Sequence, residues 1–142
     1  MSKPPVDLLG HAAPFLGYCG IRRVDWGDGF ARSEVTVEKQ LGNRTGAAHG
    51  GLLMTLLDSV MAGAARTVTD EDHGMMTVDM QVAFLAPGRG TLTGLGKVLR
   101  KGSLIYVEGT VTDEAGQLVC RASGMFKPRR PPKGVQHPSS AA

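Results

Sequence analysis

"GLLMTLLDSVMAGAARTV", residues 51–68, is the stretch on which the fold turns. Leu52, Leu53, Leu56, Leu57, Val60, Met61 and Ala64 recur at the three- and four-residue spacing of one helix face. Met54 and Ala65 widen that apolar arc past about 200° at 100° per residue, which leaves a narrow polar strip of Thr55, Ser59 and Arg66. A helix of about 16 residues with so wide an arc suits being wrapped by a curved sheet better than lying on a surface.

The flanks supply the sheet. After the polar loop "TDEDHG" come four runs of period-two alternation: "MTVDMQVAFL", "GTLTGLGKVLR", "SLIYVEGTVTD" and "QLVCRASGMFK". The turn-forming clusters "APGRG", "KG" and "DEAG" separate them, and no helix intervenes, so a meander of three or four antiparallel strands is expected. Upstream, "IRRVDW" and "FARSEVTV" flank "GDG" as a strand pair, and residues 1 to about 20 read as a short helix broken by Pro14 and Gly17. The expected class is α+β, with one long central helix wrapped by a curved antiparallel sheet of five to six strands, the hot-dog architecture. Residues 1–127 form a single domain, and the tail "PRRPPKGVQHPSSAA", residues 128–142, is Pro-rich, polar and read as disordered.

Composition narrows the function. A chain of 142 residues with 42% hydrophobic and 20% charged residues is one soluble-type domain with a real core. A net charge of +3 suits an anionic small molecule at least as well as a nucleic acid. With 5% aromatics and a short basic tail there is no stacking platform, so no nucleic-acid partner is expected. The histidines are scattered without carboxylates at ligand spacing, so no metal is expected either. Cys19 and Cys120 read as reduced core thiols. The N-terminus lacks the unbroken apolar core of a signal peptide and no run approaches a membrane span, which points to a cytoplasmic protein with no membrane partner.

Chemistry concentrates in "NRTGAAHGGLLMTLLD", residues 43–58. Asp58 lies at the border of the apolar arc with no basic residue three or four positions away, and Asp is a poor helix-interior residue. It is either a solvated acid at the helix edge or a carboxylate facing a cleft; the helix alone does not decide between them. Gly50 and Gly51 fall where the helix begins, where N–H groups lack internal acceptors and carry partial positive charge. Without a Cβ in the way, a carbonyl oxygen can approach them closely, as an oxyanion hole requires. Asn43 offers an amide donor for the same oxygen, and His49 either orients the loop or caps the helix.

The pattern formed by Asn43, His49, Gly50, Gly51 and Asp58 resembles the hot-dog-fold acyl-CoA thioesterases of the PaaI type. "TVDMQVAFLAPGRG" and "GTVTDEAGQLVCRASGMF" are similar to that family's strand after the helix and its last hairpin, and the resemblance covers roughly residues 15–127. It implies hydrolysis of an acyl- or aryl-CoA, such as a phenylacetyl-type thioester, to free acid and CoA, with no cofactor. It further implies that the Gly50 N–H and the Asn43 side chain polarise the carbonyl and that Asp58 acts as general base or nucleophile. Thr77 helps hold the water, and His49 is a support residue. The site lies between two subunits, Asn43 and Gly50 from one and Asp58 and Thr77 from the other, in a homodimer commonly paired into a tetramer. Gly51 with Arg89, Arg100, Lys101 and Arg121 forms the candidate substrate-binding set, the basic residues matching the phosphates of CoA; any one of the four taken singly reads first as a solvated surface charge, and the expectation rests on the group. Met54, Met61 and Phe84 are candidates for the far end of the acyl pocket. A non-catalytic acyl-CoA-binding module is the alternative, and a hot-dog hydratase or dehydratase a more distant one.

Overall fold

The structure is a computed structural model that describes residues 13–70 and 74–129. Strict alternation builds its sheet. On β2 (Phe30–Thr36), Ala31, Ser33 and Val35 are buried, whereas on β5 (Ile105–Thr112) the buried set is Ile105, Val107, Gly109 and Val111. One face of each strand is therefore committed to the core and the other to the outside. With β1 (Arg22–Gly27), β3 (Gly74–Phe84), β4 (Thr91–Lys101) and β6 (Leu118–Arg129), they form a six-stranded antiparallel sheet. The strand order is β1-β2-β4-β5-β6-β3.

Of the four late runs, three make the meander, β4-β5-β6, and the fourth does not join it in sequence order: β3 pairs with β6. The reason is the helix. Between β2 and β3 the chain runs through a 3₁₀ turn (Lys39–Leu41) and α2 (Gly50–Arg66), packed against β2, β3, β4 and β5, and so leaves β3 at the opposite edge from β1.

The core lies between α2 and the sheet, where Leu56, Leu57, Val60 and Met61 meet Leu92, Ile105, Val107, Val111, Val119 and Phe126, all essentially inaccessible. β4 lets the helix sit directly on the sheet. A Cβ at Gly96 would overlap the backbone of Val60 and Met61, and one at Gly94 would stand 2.8 Å from Leu56 Cγ. Such contacts are closer than any side chain could fill, so the glycines fix how near the two layers come.

Three details differ from the sequence reading. Helix α1 (Pro14–Cys19) is started rather than broken by Pro14. A first-turn proline needs no N–H, and the left-handed residue that ends the helix is Gly20, φ 76°, not Gly17. Pro128 and Arg129, assigned to the tail, continue β6, opposite Met75 and Gly74. The last β5 partner of β6 is Ile105, opposite Phe126, so Pro128 has a strand neighbour on one side alone, a place that tolerates a missing donor. The polar strip of α2 is not solvated throughout, since Ser59 is buried. The start of the expected N-terminal helix, residues 71–73 of the polar loop and the tail from 130 onward lie outside the described residues.

Cys19 and Cys120 are free and buried, and burial pushes the Cys120 thiol up to about 11. Among the described residues, no helix is long and apolar enough to cross a membrane.

Candidate active site

α2 presents Gly50, Met54 and Asp58 at successive i+4 steps, so all three lie along one stripe of the helix. At its C-terminal end the stripe meets β3, where Thr77 Oγ1 donates to Asp58 Oδ1 at 2.6 Å. This short bond is of the charge-assisted kind and leaves Asp58 Oδ2 with no partner among the described residues. Asp58 is half-buried. A β-bulge at Val78 follows Thr77 directly, and that irregularity keeps Thr77 on the inner face with Phe126 while Asp79 pairs outward with Met125.

At the other end of the stripe, the helix start separates the two glycines. His49 is the N-cap residue, and its Nδ1 accepts from Gly51 N at 2.8 Å. An accepting Nδ1 puts the ring proton on Nε2. The Gly51 N–H is therefore consumed, whereas the Gly50 N–H has no acceptor among the described residues. The Phe84 ring flanks that free donor, 3.5 Å from where a Cβ on Gly50 would sit. Phe84 and Met54 are about half-exposed beside it; Met61, the third pocket candidate, is wholly buried in the core.

Asn43 precedes this in a tight turn. Its Oδ1 accepts from Thr45 N at 2.9 Å and from Thr45 Oγ1 at 2.8 Å, which fixes the amide plane and leaves Nδ2 as an exposed donor. Hydrogen bonds from Asn43 N to Ala47 O and from His49 N to Leu41 O hold the loop against the helix start.

The basic candidates do not form one group. Arg89 Nη1 donates to Thr45 O at 3.0 Å and so belongs with the Asn43 loop. Arg121 pairs with Ala83, one residue from Phe84, toward the same end of the sheet. Arg100 and Lys101 lie at the far end of β4, roughly 30 Å along an extended strand from Thr91. Lys101 instead shares a row with Ile105, Phe126 and Thr77. One pair thus accompanies the Gly50 end and the other the Asp58 end. A surface cleft of about 270 Å³ lined by Tyr18, Arg22, Glu34, Glu38 and Gln40 contains none of the expected site residues.

Sequence reasoning passed over Arg23. It occupies an inward position of β1 and is buried against α2, whereas its neighbour Arg22 points outward to Glu34 at 3.4 Å. The signal was present in the alternation itself, which places residues 21, 23 and 26 on one face once the irregularity between Arg23 and Asp25 is allowed for.

Known proteins share both the sequence pattern and the architecture. Residues 45–120 match the family model of the thioesterase superfamily. A Saccharolobus solfataricus protein provisionally named an esterase is 34% identical over 122 residues, 84% of this chain and 86% of that protein. Among solved structures, a conserved protein of Pseudomonas aeruginosa superposes with a TM-score of 0.82 at 25% identity, over 88% of this chain and 99% of that one. The E. coli PaaI protein from the phenylacetic acid degradation operon superposes with a TM-score of 0.77 at 24% identity, over 84% and 90% of the two chains. An antiparallel six-stranded sheet around one long helix, joined to this sequence match, leads to one assignment: the chain is a hot-dog-fold member of the thioesterase superfamily, a family of thioester hydrolases.

Proposed function

We propose that the protein hydrolyses the thioester of an acyl- or aryl-CoA, at a site that two copies of the chain complete together. The observation that carries this reading is a division of labour along α2. Among the described residues, its N-terminal end holds an unused amide donor at Gly50, and two turns on a hydroxyl-bonded carboxylate at Asp58 has one oxygen free.

Eight residues of helix separate the two groups by about 12 Å along the axis. A base must stand within hydrogen-bond reach of the proton it takes, or one water away. The Gly50 end of one copy facing the Asp58 end of another brings donor and acid to a single carbonyl. β3 supports such a pairing: it is a sheet edge that exposes Met76 and Val78 along with its unpaired backbone groups. A homodimer built on this edge, paired into a tetramer, is the assembly that fits.

In the reaction, the Gly50 N–H and Asn43 Nδ2 donate to the thioester oxygen and stabilise the negative charge that develops on it. Asp58 Oδ2 takes a proton from water while Thr77 holds Oδ1. The water oxygen bonds to the carbonyl carbon, the tetrahedral intermediate collapses, and the C–S bond breaks to release CoA thiolate, which is then protonated. His49 shapes the donor end through its cap on Gly51. The same carboxylate placed directly against the carbon would give the covalent anhydride route. Neither route uses a cofactor. Arg89 and Arg121 travel with the donor half of the site and Arg100 and Lys101 with the acid half, which offers the CoA phosphates cations from both copies. The free thiols fit a cytoplasmic setting.

The test is release of free thiol from a panel of acyl- and aryl-CoA substrates, followed with a chromogenic reagent, in wild type and Asp58→Asn. The expected loss is at least about a hundredfold in kcat, within the usual range for general-base catalysis. Full activity in Asp58→Asn removes the acid from the mechanism. Tight acyl-CoA binding without thiol release in the wild type makes the protein a binding module instead.

A further inference from the structure

The side of α2 turned from Asp58 meets a charge with no counter-ion among the described residues. Arg23 on β1 is 9% exposed, and its Nη2 donates to the Ser59 carbonyl oxygen at 3.0 Å and to Ser59 Oγ at 3.4 Å. Arg23 Nε and Nη1 have no hydrogen-bond partner among the described residues, and neither has Ser33 Oγ, whose residue stands opposite Arg23 in the β1–β2 ladder. These atoms are themselves buried. Burial pushes the guanidinium down to about 10, with the charge of Arg66 acting in the same direction. The helix makes space for it at Gly63, where a Cβ would stand 2.6–2.7 Å from the guanidinium atoms. A mid-helix glycine and a desolvated cation both work against stability, so packing does not account for either.

What the arrangement does supply is direction. Leu56, Leu57, Val60 and Met61 hold α2 by apolar contact, which has no angular preference of its own. Arg23 grips Ser59 from β1 while Thr77 grips the adjacent Asp58 from β3, at opposite edges of the sheet. A helix rotation of about 10° moves a side-chain end at roughly 6 Å from the axis by about 1 Å, enough to break a short hydrogen bond. We infer that Arg23 is a positioning residue whose bond to the Ser59 carbonyl fixes the rotation of α2 and so keeps Asp58 on Thr77. The inference rests on the proposed function only in taking Asp58 to be the working acid.

Crystal structures, thermal unfolding and steady-state kinetics of Arg23→Met and Arg23→Lys test it. In Arg23→Met the Tm is expected to hold or rise, because a buried unpaired charge is replaced by an apolar chain. The Asp58–Thr77 distance should exceed 3.5 Å, and kcat should fall roughly tenfold or more with KM changed less than about threefold, as for a misplaced catalytic group. Arg23→Lys should recover part of kcat, since one N–H can still reach the carbonyl. Gly63→Ala, which pushes the guanidinium off its seat, should lengthen the same distance and gives the reading if Arg23→Met does not fold. An Asp58–Thr77 bond still near 2.6 Å in these variants overturns the inference, as does a parallel fall of Tm and kcat, which marks a purely structural role. Should the wild type release no thiol from any substrate, the functional reading fails while the distances still decide this one.

Discussion

β3 and β4 are each eleven residues long and antiparallel to their partners, yet they are built to opposite specifications. β4 lies inside the sheet, between β2 and β5, and alternates half-buried threonine and leucine with fully buried Leu92, Gly94 and Gly96 beneath the helix. β3 lies at the edge and has no fully buried residue, although it carries Met75, Met76, Val78, Met80, Val82 and Phe84. An apolar strand left this open is an aggregation hazard in a lone protomer. It also carries Thr77, the residue that holds Asp58. On the function proposed above, the contrast separates what holds the protomer together, on the β4 side of α2, from what would serve the site and its assembly, on the β3 side.

Substitutions on the two sides should therefore separate stability from activity. The largest effect is expected from Leu56→Ala, a wholly buried contact between α2 and β4, which should cost about 2–5 kcal/mol in urea unfolding. A loss below about 1 kcal/mol would show that β4 is not the structural side. Thr77→Val comes next. If Thr77 serves the acid by holding its orientation, kcat should fall by roughly tenfold or more, as for a misplaced catalytic group, with Tm lowered only modestly because the residue is exposed. Unchanged turnover would detach Thr77 from the chemistry. His49→Ala removes the N-cap and should lower stability by about 1 kcal/mol while freeing the Gly51 N–H; stability equal to wild type would mean the cap is idle. The smallest change in protomer stability, within about 0.5 kcal/mol, is expected for Val78→Glu, a substitution at an exposed site. If β3 forms the proposed dimer edge, that variant should nevertheless sediment as a monomer at concentrations where the wild type sediments as a dimer. An intact dimer would place the interface elsewhere.

How much of this was legible in the sequence depends on whether a residue's partner is near in the chain. The helix and the strand runs were, because a three-to-four spacing and a two-residue alternation are local signals; α2 begins one residue before the quoted stretch and ends at Arg66. That one hydroxyl, Thr77, stands beside Asp58 came from family resemblance, since 19 residues separate them and no spacing rule joins a helix to an edge strand. The two glycines of "HGG" were indistinguishable as letters. They differ because His49 Nδ1 reaches one amide and not the other. Arg23 was hidden by a sound rule, that charges face water. The alternation of β1 and the close approach permitted by Gly63 show that this one does not.

The strand order carries a kinetic consequence. β1–β2 and β4-β5-β6 pair with neighbours in sequence, so each can close through a short turn as soon as its residues exist. β3 cannot, because among the described residues its one strand partner is β6, the last of the described strands to be synthesised. Until residue 118 and those after it have emerged, the Met- and Val-bearing segment 74–84 can lie against α2 but has no strand to pair with. During translation the backbone groups along this segment therefore stay unpaired longer than those of the hairpins that close locally.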